Sequence, residues 1–291
     1  MYKGTIRIVS FYSFYILGCP YYNARNMKLK ELILMFASIA FVTSASFANP
    51  DDPHAETEPV KEDWEFKASV GAMGYWVPKY EGSNIYQDLY MPEADVQYGP
   101  LFASISQGAG VYLPVNESRT VIFAPAIRWR VMRNLGEPRD VIQYIKDVRP
   151  TVTLNSILKF DPFILNFRMT DGLINDNKGA SFNLGATYKD DITERINLTI
   201  YTTAIYGNRA YNQTYFGITP EESQQFGFDV HYSSAGLKSL DIGSILKYKI
   251  TAHVSIDFAT EYLRLVGPAA RSSITLSKDQ FLFGIGSTYY F

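Results

Sequence analysis

The chain has 291 residues, room for one large barrel or two ordinary domains. Aromatic residues make up 15% and tyrosines number 22, yet only 19% of residues are charged, below the roughly 25% of soluble domains. Mean hydropathy is near neutral at -0.09, which argues against a bundle of membrane helices and fits strands that alternate apolar outward and polar inward.

Residues 1–26 are aromatic and irregular, and are read as a misplaced gene start or a removed extension. Within them Ile16-Leu17-Gly18-Cys19 resembles a lipoprotein cleavage site, but leucine fits its second position poorly. From Met27 a secretory signal follows. Lys28 and Lys30 supply the basic region, Leu32 to Val42 the apolar run, and Ser46-Phe47-Ala48 the small residues of a cleavage site after Ala48. The run is shorter than the about 20 residues of a spanning helix. Cleavage would remove Cys19, the chain's one cysteine, leaving neither disulfide nor thiolate metal site.

Residues 1–48 carry five basic residues and one acidic, so the processed chain keeps 22 basic and 28 acidic residues, a net charge of -6. Asp51, Asp52, Glu56, Glu58, Glu62 and Asp63 face only Lys61, so residues 49–63 read as an acidic, disordered periplasmic tail. This balance argues against a nucleic-acid partner. No metal spacing or phosphate loop appears, and no cofactor is expected.

From Trp64 the pattern has period two. In the segment 252–262, Val254, Ile256, Phe258 and Tyr262 share one face, opposed by His253, Ser255, Asp257 and Glu261. The split recurs in 121–131, where Arg128 and Arg130 oppose Phe123, Ile127 and Trp129. It recurs in 163–170, with Arg168 opposing Phe167, and in 182–189. A soluble sandwich would alternate too. Mid-strand charges on the polar face, strands long enough to separate Trp64 and Trp76 by about 30 Å along the membrane normal, and tight turns alternating with long loops favour a transmembrane barrel. The turns are 159–162, 189–191 and 249–251; the loops are 133–146, 171–179, 206–236 and 266–278.

The fold class is therefore all-β: an antiparallel transmembrane β-barrel of the outer membrane over residues 64–291. Eleven strands are legible, near 64–77, 88–98, 101–112, 120–132, 146–160, 162–171, 180–190, 194–206, 238–250, 252–264 and 280–291. Termini on one side of the membrane require an even number. The weak places are Leu101 to Val115, where Gly108 and Gly110 mark a bend or two short strands, and Tyr211 to Phe216. Ten and twelve both satisfy parity, and twelve is preferred. The last strand aligns Phe281, Phe283, Ile285, Tyr289 and Phe291 on one face. A terminal phenylalanine after alternating aromatics resembles the signal read by the barrel-insertion machinery.

Three stretches resemble the MipA/OmpV family: Tyr80-Glu81-Gly82-Ser83 with Val96 to Ser104; Tyr211 to Ser223 with Ala235-Gly236-Leu237-Lys238; and the tail Leu282 to Phe291. Val266-Gly267-Pro268 and Ser273-Ile274 only echo the family pattern, so the chain reads as a divergent member. The resemblance implies a non-enzymatic scaffold that links a murein transglycosylase to a peptidoglycan synthase, working from the periplasmic side through the 49–63 tail and the turns. A porin-like channel and an adhesin are the family's other roles. Lipopolysaccharide and a second copy of the chain are further expected partners.

Two other readings of the residues stand beside it. Arg128, Arg130, Arg168, Lys247, Asp257 and Glu261 all point into the lumen by parity, which suits either a selective pore or a salt-bridged plug. His231-Tyr232-Ser233 places an imidazole and a hydroxyl on one side of an extended segment, and with Asp241 or Glu222 as the acid could form a lipid A deacylase-like hydrolase site. His54 lies in the tail and is expected to be inert; His253 lies at the periplasmic end of a lumen face, with a structural role expected.

Overall fold

The computed structural model describes residues 65–116, 118–131, 148–172 and 178–291, with side chains omitted at 129–131 and 148–149. Residues 1–63, Trp64, the 133–146 loop and the side chains of Trp129 and Arg130 lie outside that set. The period-two segments form antiparallel strands in chain order: β1 (Phe66–Pro78), β2 (Tyr86–Tyr98), β3 (Leu101–Ser104), β4 (Gly108–Val111), β5 (Leu113–Pro114), β6 (Val121–Val131), β7 (Val148–Phe160), β8 (Phe163–Gly172), β9 (Ser181–Asp191), β10 (Ile196–Gly207), β11 (Gly236–Lys249), β12 (Val254–Leu265) and β13 (Asp279–Tyr290). Each pairs with the next except β4 and β5, which both pair with β6, and β1 pairs with β13, Ser69 opposite Tyr290 through Trp76 opposite Phe283. The sheet is thus a closed barrel, which leaves no backbone edge to lipid.

The strand number resolves at the weak place near Gly108. β4 and β5 each pair with β6 and are two pieces of one broken strand, which makes twelve staves. The segment read as one strand over 101–112 is two, β3 and β4, joined by a turn. Glycine permits the break. Gly108 has φ +80°, and a Cβ there would lie 2.1 Å from the Ile127 carbonyl oxygen; at Gly110 the Pro125 carbonyl oxygen would be 2.3 Å away. Tyr211 to Phe216, the other weak place, is helical.

Outward residues make an apolar band between two aromatic belts. Phe66, Tyr98, Phe160, Phe163, Tyr188 and Tyr289 ring the end that carries the short turns, and Trp76, Tyr86, Phe182, Tyr206, Phe281 and Phe283 the end with the long loops. Trp76 stacks on Tyr86 at 4.0 Å. Short turns mark the periplasmic end and long loops the outer one. The protein is an outer-membrane β-barrel.

Inside, side chains fill space rather than line water. Met73, Tyr75, Val77, Met91, Tyr201, Ala259 and Leu282 form one buried apolar cluster. Phe102, Ile122, Ala124, Ala126, Ile157 and Ile164 form a second. At the outer end α1 (Arg209–Phe216), α2 (Pro220–Phe226) and α3 (Gly267–Ala270) sit in the loops. Asn208 caps α1, and Thr219 and Glu222 form a reciprocal capping box on α2 with Pro220 in its first turn. Phe216 and Ala269 pack against Ile205, Leu263 and Leu265 at the barrel mouth.

Candidate functional site at the outer mouth and interior

The β1–β2 connection, residues 79–85, is strapped onto the other outer loops. The Gly82 carbonyl accepts from the Leu276 and Ser277 amides at 2.7 and 2.9 Å. Gln280 on β13 receives the Gly82 N–H at 3.1 Å and donates to the Ser83 carbonyl at 3.0 Å. The Tyr80 hydroxyl donates to the Ile274 carbonyl at 3.2 Å, and its partial burial raises its pKa above the ordinary phenol value. Asn212 of α1 donates to the Ser234 carbonyl at 2.8 Å, and Ser273 to the Asp229 carbonyl at 2.8 Å. Three separate stretches of chain are knitted into one cap.

The strap ends in an ion pair. Glu81 meets Lys238 at 2.8 Å, and the lysine side chain is fully buried. Burial raises the Glu81 pKa above the usual carboxylate range, with the Lys238 charge opposing that shift. Lys238 reaches the interior through a β-bulge. Ile205 of β10 faces Ser239 and Tyr206 faces Leu237, so Lys238 is the extra residue on β11. Strict alternation would put it against lipid, where a lysine costs about 2–4 kcal/mol at mid-membrane and less near the interface. Glu81 and Lys238 belong to two of the stretches that carry the family resemblance, and Gln280 borders the third.

Below the pair, Asp241 and Glu261 point inward and are each 3% exposed. Tyr201 donates to Glu261 Oε2 at 2.6 Å. Neither Asp241 oxygen, nor Glu261 Oε1, nor the Ser239 hydroxyl has a hydrogen-bond partner of normal geometry. Nearer the periplasmic end Lys247 pairs with Asp257 at 2.8 Å, and Asp257 also accepts from Thr288 at 2.9 Å.

Arg128, Arg168, Lys247, Asp257 and Glu261 all face inward, as their parity predicts; the Arg130 side chain is outside the described set. They do not make one ring. Arg128 donates to the Ser106 carbonyl at 2.9 Å and Arg168 to Asn155 at 2.7 Å on one wall. The carboxylates stand on β12 with the lysine partners of Asp257 and Glu81 on β11. A parity rule does not single out Lys238 and Glu81, which hold the mouth together, because the bulge and the loop hide them from it.

His231 and Ser233 lie in the 227–235 segment of the cap, and His231 bridges Ile218 through its backbone. Partial burial pushes the His231 imidazole down, a hydrogen bond to the Pro268 carbonyl opposes this, and the Arg271 charge adds to it. The acids proposed for it lie elsewhere: Glu222 caps α2, and Asp241 lies inside the barrel beside Ser239. The Ser233 amide is held by Gln213 at 2.7 Å. His253 occupies the β11–β12 turn, with Nδ1 2.9 Å from the Tyr290 carbonyl and the ring stacked on Tyr289. It joins the periplasmic aromatic belt rather than the lumen, because the turn ends the alternation before Val254.

Residues 70–291 match the family model described as MltA-interacting protein MipA. No curated protein matches the chain. Among solved structures, the NanC porin aligns with TM-score 0.42 at 9% identity, covering 76% of this chain and 98% of that one. The KdgM porin aligns with TM-score 0.38 at 10% identity, covering 77% and 99%. OmpT of Vibrio cholerae aligns with TM-score 0.36 at 6% identity, covering 78% and 97%.

Proposed function

Because the chain belongs to the MltA-interacting protein MipA family, we propose that it is a non-enzymatic platform that gathers murein enzymes beneath the outer membrane. The observation that carries this reading is the filled interior. Two apolar clusters and a knitted cap occupy the space that a diffusing solute would use. Such a barrel works through its surfaces. Its periplasmic ones are the tight turns and residues 49–63, whose acidic composition suits a partner with a basic patch. The closing strand that ends at Phe291 serves the insertion machinery, and the outward apolar band receives the acyl chains of lipopolysaccharide.

The test is a pull-down of a lytic transglycosylase and a peptidoglycan synthase by the processed chain, with and without residues 49–63. Retention by the complete chain and loss on truncation is the expected result. No retention by either form overturns the proposal. Planar-bilayer recording separates the alternative of a narrow channel: a filled barrel gives no steady current, whereas resolved unitary currents favour the channel.

A further inference from the structure

We infer that the seam between β1 and β13 carries its own register key, a run of inward residues matched small against large across the closing line of the barrel. The need for one follows from topology. β1 and β13 are the two ends of the wall, so no turn joins them and none sets their register. A slip of one residue would turn every inward side chain toward lipid. A slip of two keeps each face where it belongs and is the competing closure.

The inward pairs of the seam discriminate against that slip. Ser69 stands opposite Tyr290, Gly71 opposite Thr288, Met73 opposite Gly286 and Tyr75 opposite Gly284. Each pair sets a small residue against a larger one. The larger partner changes strand halfway: β13 supplies it toward the periplasm and β1 toward the outer end. The contacts are close. A Cβ at Gly284 would lie 2.6 Å from the Tyr75 ring and one at Gly71 3.1 Å from the Thr288 hydroxyl, while one at Gly286 would run into the Met73 sulfur. Met73, Tyr75, Val77 and Leu282 belong to one buried apolar cluster, which leaves little room for repacking. Slipping β13 by two residues one way sets Tyr75 against Leu282 and Gly71 against Gly286, a clash beside a void. Slipping it the other way sets Met73 against Thr288. The observed register avoids both.

The same register places the outer mouth. Gln280, just beyond the paired stretch, holds Gly82 and Ser83, and Glu81 of that connection meets Lys238. A two-residue slip would carry the connection about 7 Å along the wall and part both contacts. The key is thus a positioning device: it closes the barrel in the one arrangement in which the cap can be knitted.

The experiment reads the register by disulfide formation in the processed chain, residues 49–291, which holds no cysteine. Ala72→Cys with Ser287→Cys sets two thiols opposite each other on the lipid face, with Cα atoms about 5 Å apart and within bonding reach. Ala72→Cys with Tyr289→Cys is a diagonal pair, about 7–8 Å apart and out of reach unless the seam slips by two. Exchanging two residues of β1, Tyr75→Val with Val77→Tyr, keeps composition and moves the ring two places outward. There Leu282 opposes it in the observed register and Gly284 in the slipped one. The exchange should raise the disulfide yield of the diagonal pair at least about tenfold over the unaltered seam. Adding Leu282→Gly and Gly284→Leu moves the gap on β13 by the same two places and should return closure to the opposite pair. An exchange on β1 that folds and still closes only the opposite pair overturns the inference. If that exchange does not fold, the four-site variant decides: it must fold and close the opposite pair, and failure on either count overturns the inference equally.

Discussion

The two sides of this barrel are built differently. From β10 through β13 to β1 and β2 the strands run 12 to 14 residues, each paired along most of its length. Across the barrel from β11, the wall between β2 and β6 is made of pieces of four, four and two residues. The long side gathers the cap, the Glu81–Lys238 pair and the buried carboxylates. The short side is broken at Gly108 and Gly110. Closure on the long side therefore rests on many ladder bonds, and on the short side on few, with backbone packed close at Gly108 and Gly110.

The sharpest way to break this contrast is to add a side chain on each side. Gly110→Ala would drive Cβ to 2.3 Å from the Pro125 carbonyl and 2.8 Å from Ala126 Cβ, and neither can move without displacing β6. We expect a loss of more than ~4 kcal/mol, in the class of overpacking with backbone strain, read as loss of the heat-modifiable folded band and of the urea transition in lipid vesicles. Gly284 on β13 meets chiefly the Tyr75 ring, at 2.6 Å. A ring can tilt, so Gly284→Ala should cost ~1–3 kcal/mol. Equal losses at the two positions would mean that the backbone carbonyl at Gly110 yields as readily as the ring at Gly284.

The next effect belongs to the strap. Removing one partner of a buried ion pair leaves the other charge uncompensated and costs roughly 3–5 kcal/mol, whereas replacing both is often near neutral. Lys238→Met alone should be strongly destabilising, since three carboxylates then face the interior without it. Glu81→Gln should cost less, because part of its side chain reaches solvent. The loss in the double variant should fall well short of the sum of the single losses in a urea double-mutant cycle. Additive losses would show that Glu81 and Lys238 do not act as a pair.

Much of this was legible beforehand. Period two gave the wall, its orientation and the inward positions of Arg128, Arg168, Asp257 and Glu261, because a lipid-facing surface leaves little freedom in the alternation. Alternation alone yields eleven strands because β3 and β4 are only four residues each, too short for it to register, and the Gly108 break reads equally as a bend. The outer helices were missed where aromatic-rich Tyr211 to Phe216 resembles a strand. The Thr219-Pro220-Glu221-Glu222 start signal was there to be used. Lys238 was beyond a parity rule altogether, since the bulge that turns it inward depends on its pairing with β10 and not on local sequence. The motif blocks were recognised as stretches of resemblance; that Glu81 and Lys238 touch across 157 positions is a property of the closed barrel.

The smallest expected effect separates the cap from the wall. His231 sits in the cap, and partial burial holds its imidazole below the ordinary value of about 6.5. As pH falls, the unfolded chain takes up this proton first. The stability owed to the neutral ring is therefore present above about pH 6.5 and is lost as pH falls through the lower folded-state value. The wall strands carry no histidine, so the loss should appear in the cap alone. Protection factors of amides in 208–235, taken relative to the intrinsic exchange rate at each pH, should fall below pH 6 while the β10–β13 ladder stays protected, and His231→Gln should flatten that response. A ladder that loosens together with the cap would show that the two regions open as one unit, and that the long wall depends on the cap it supports.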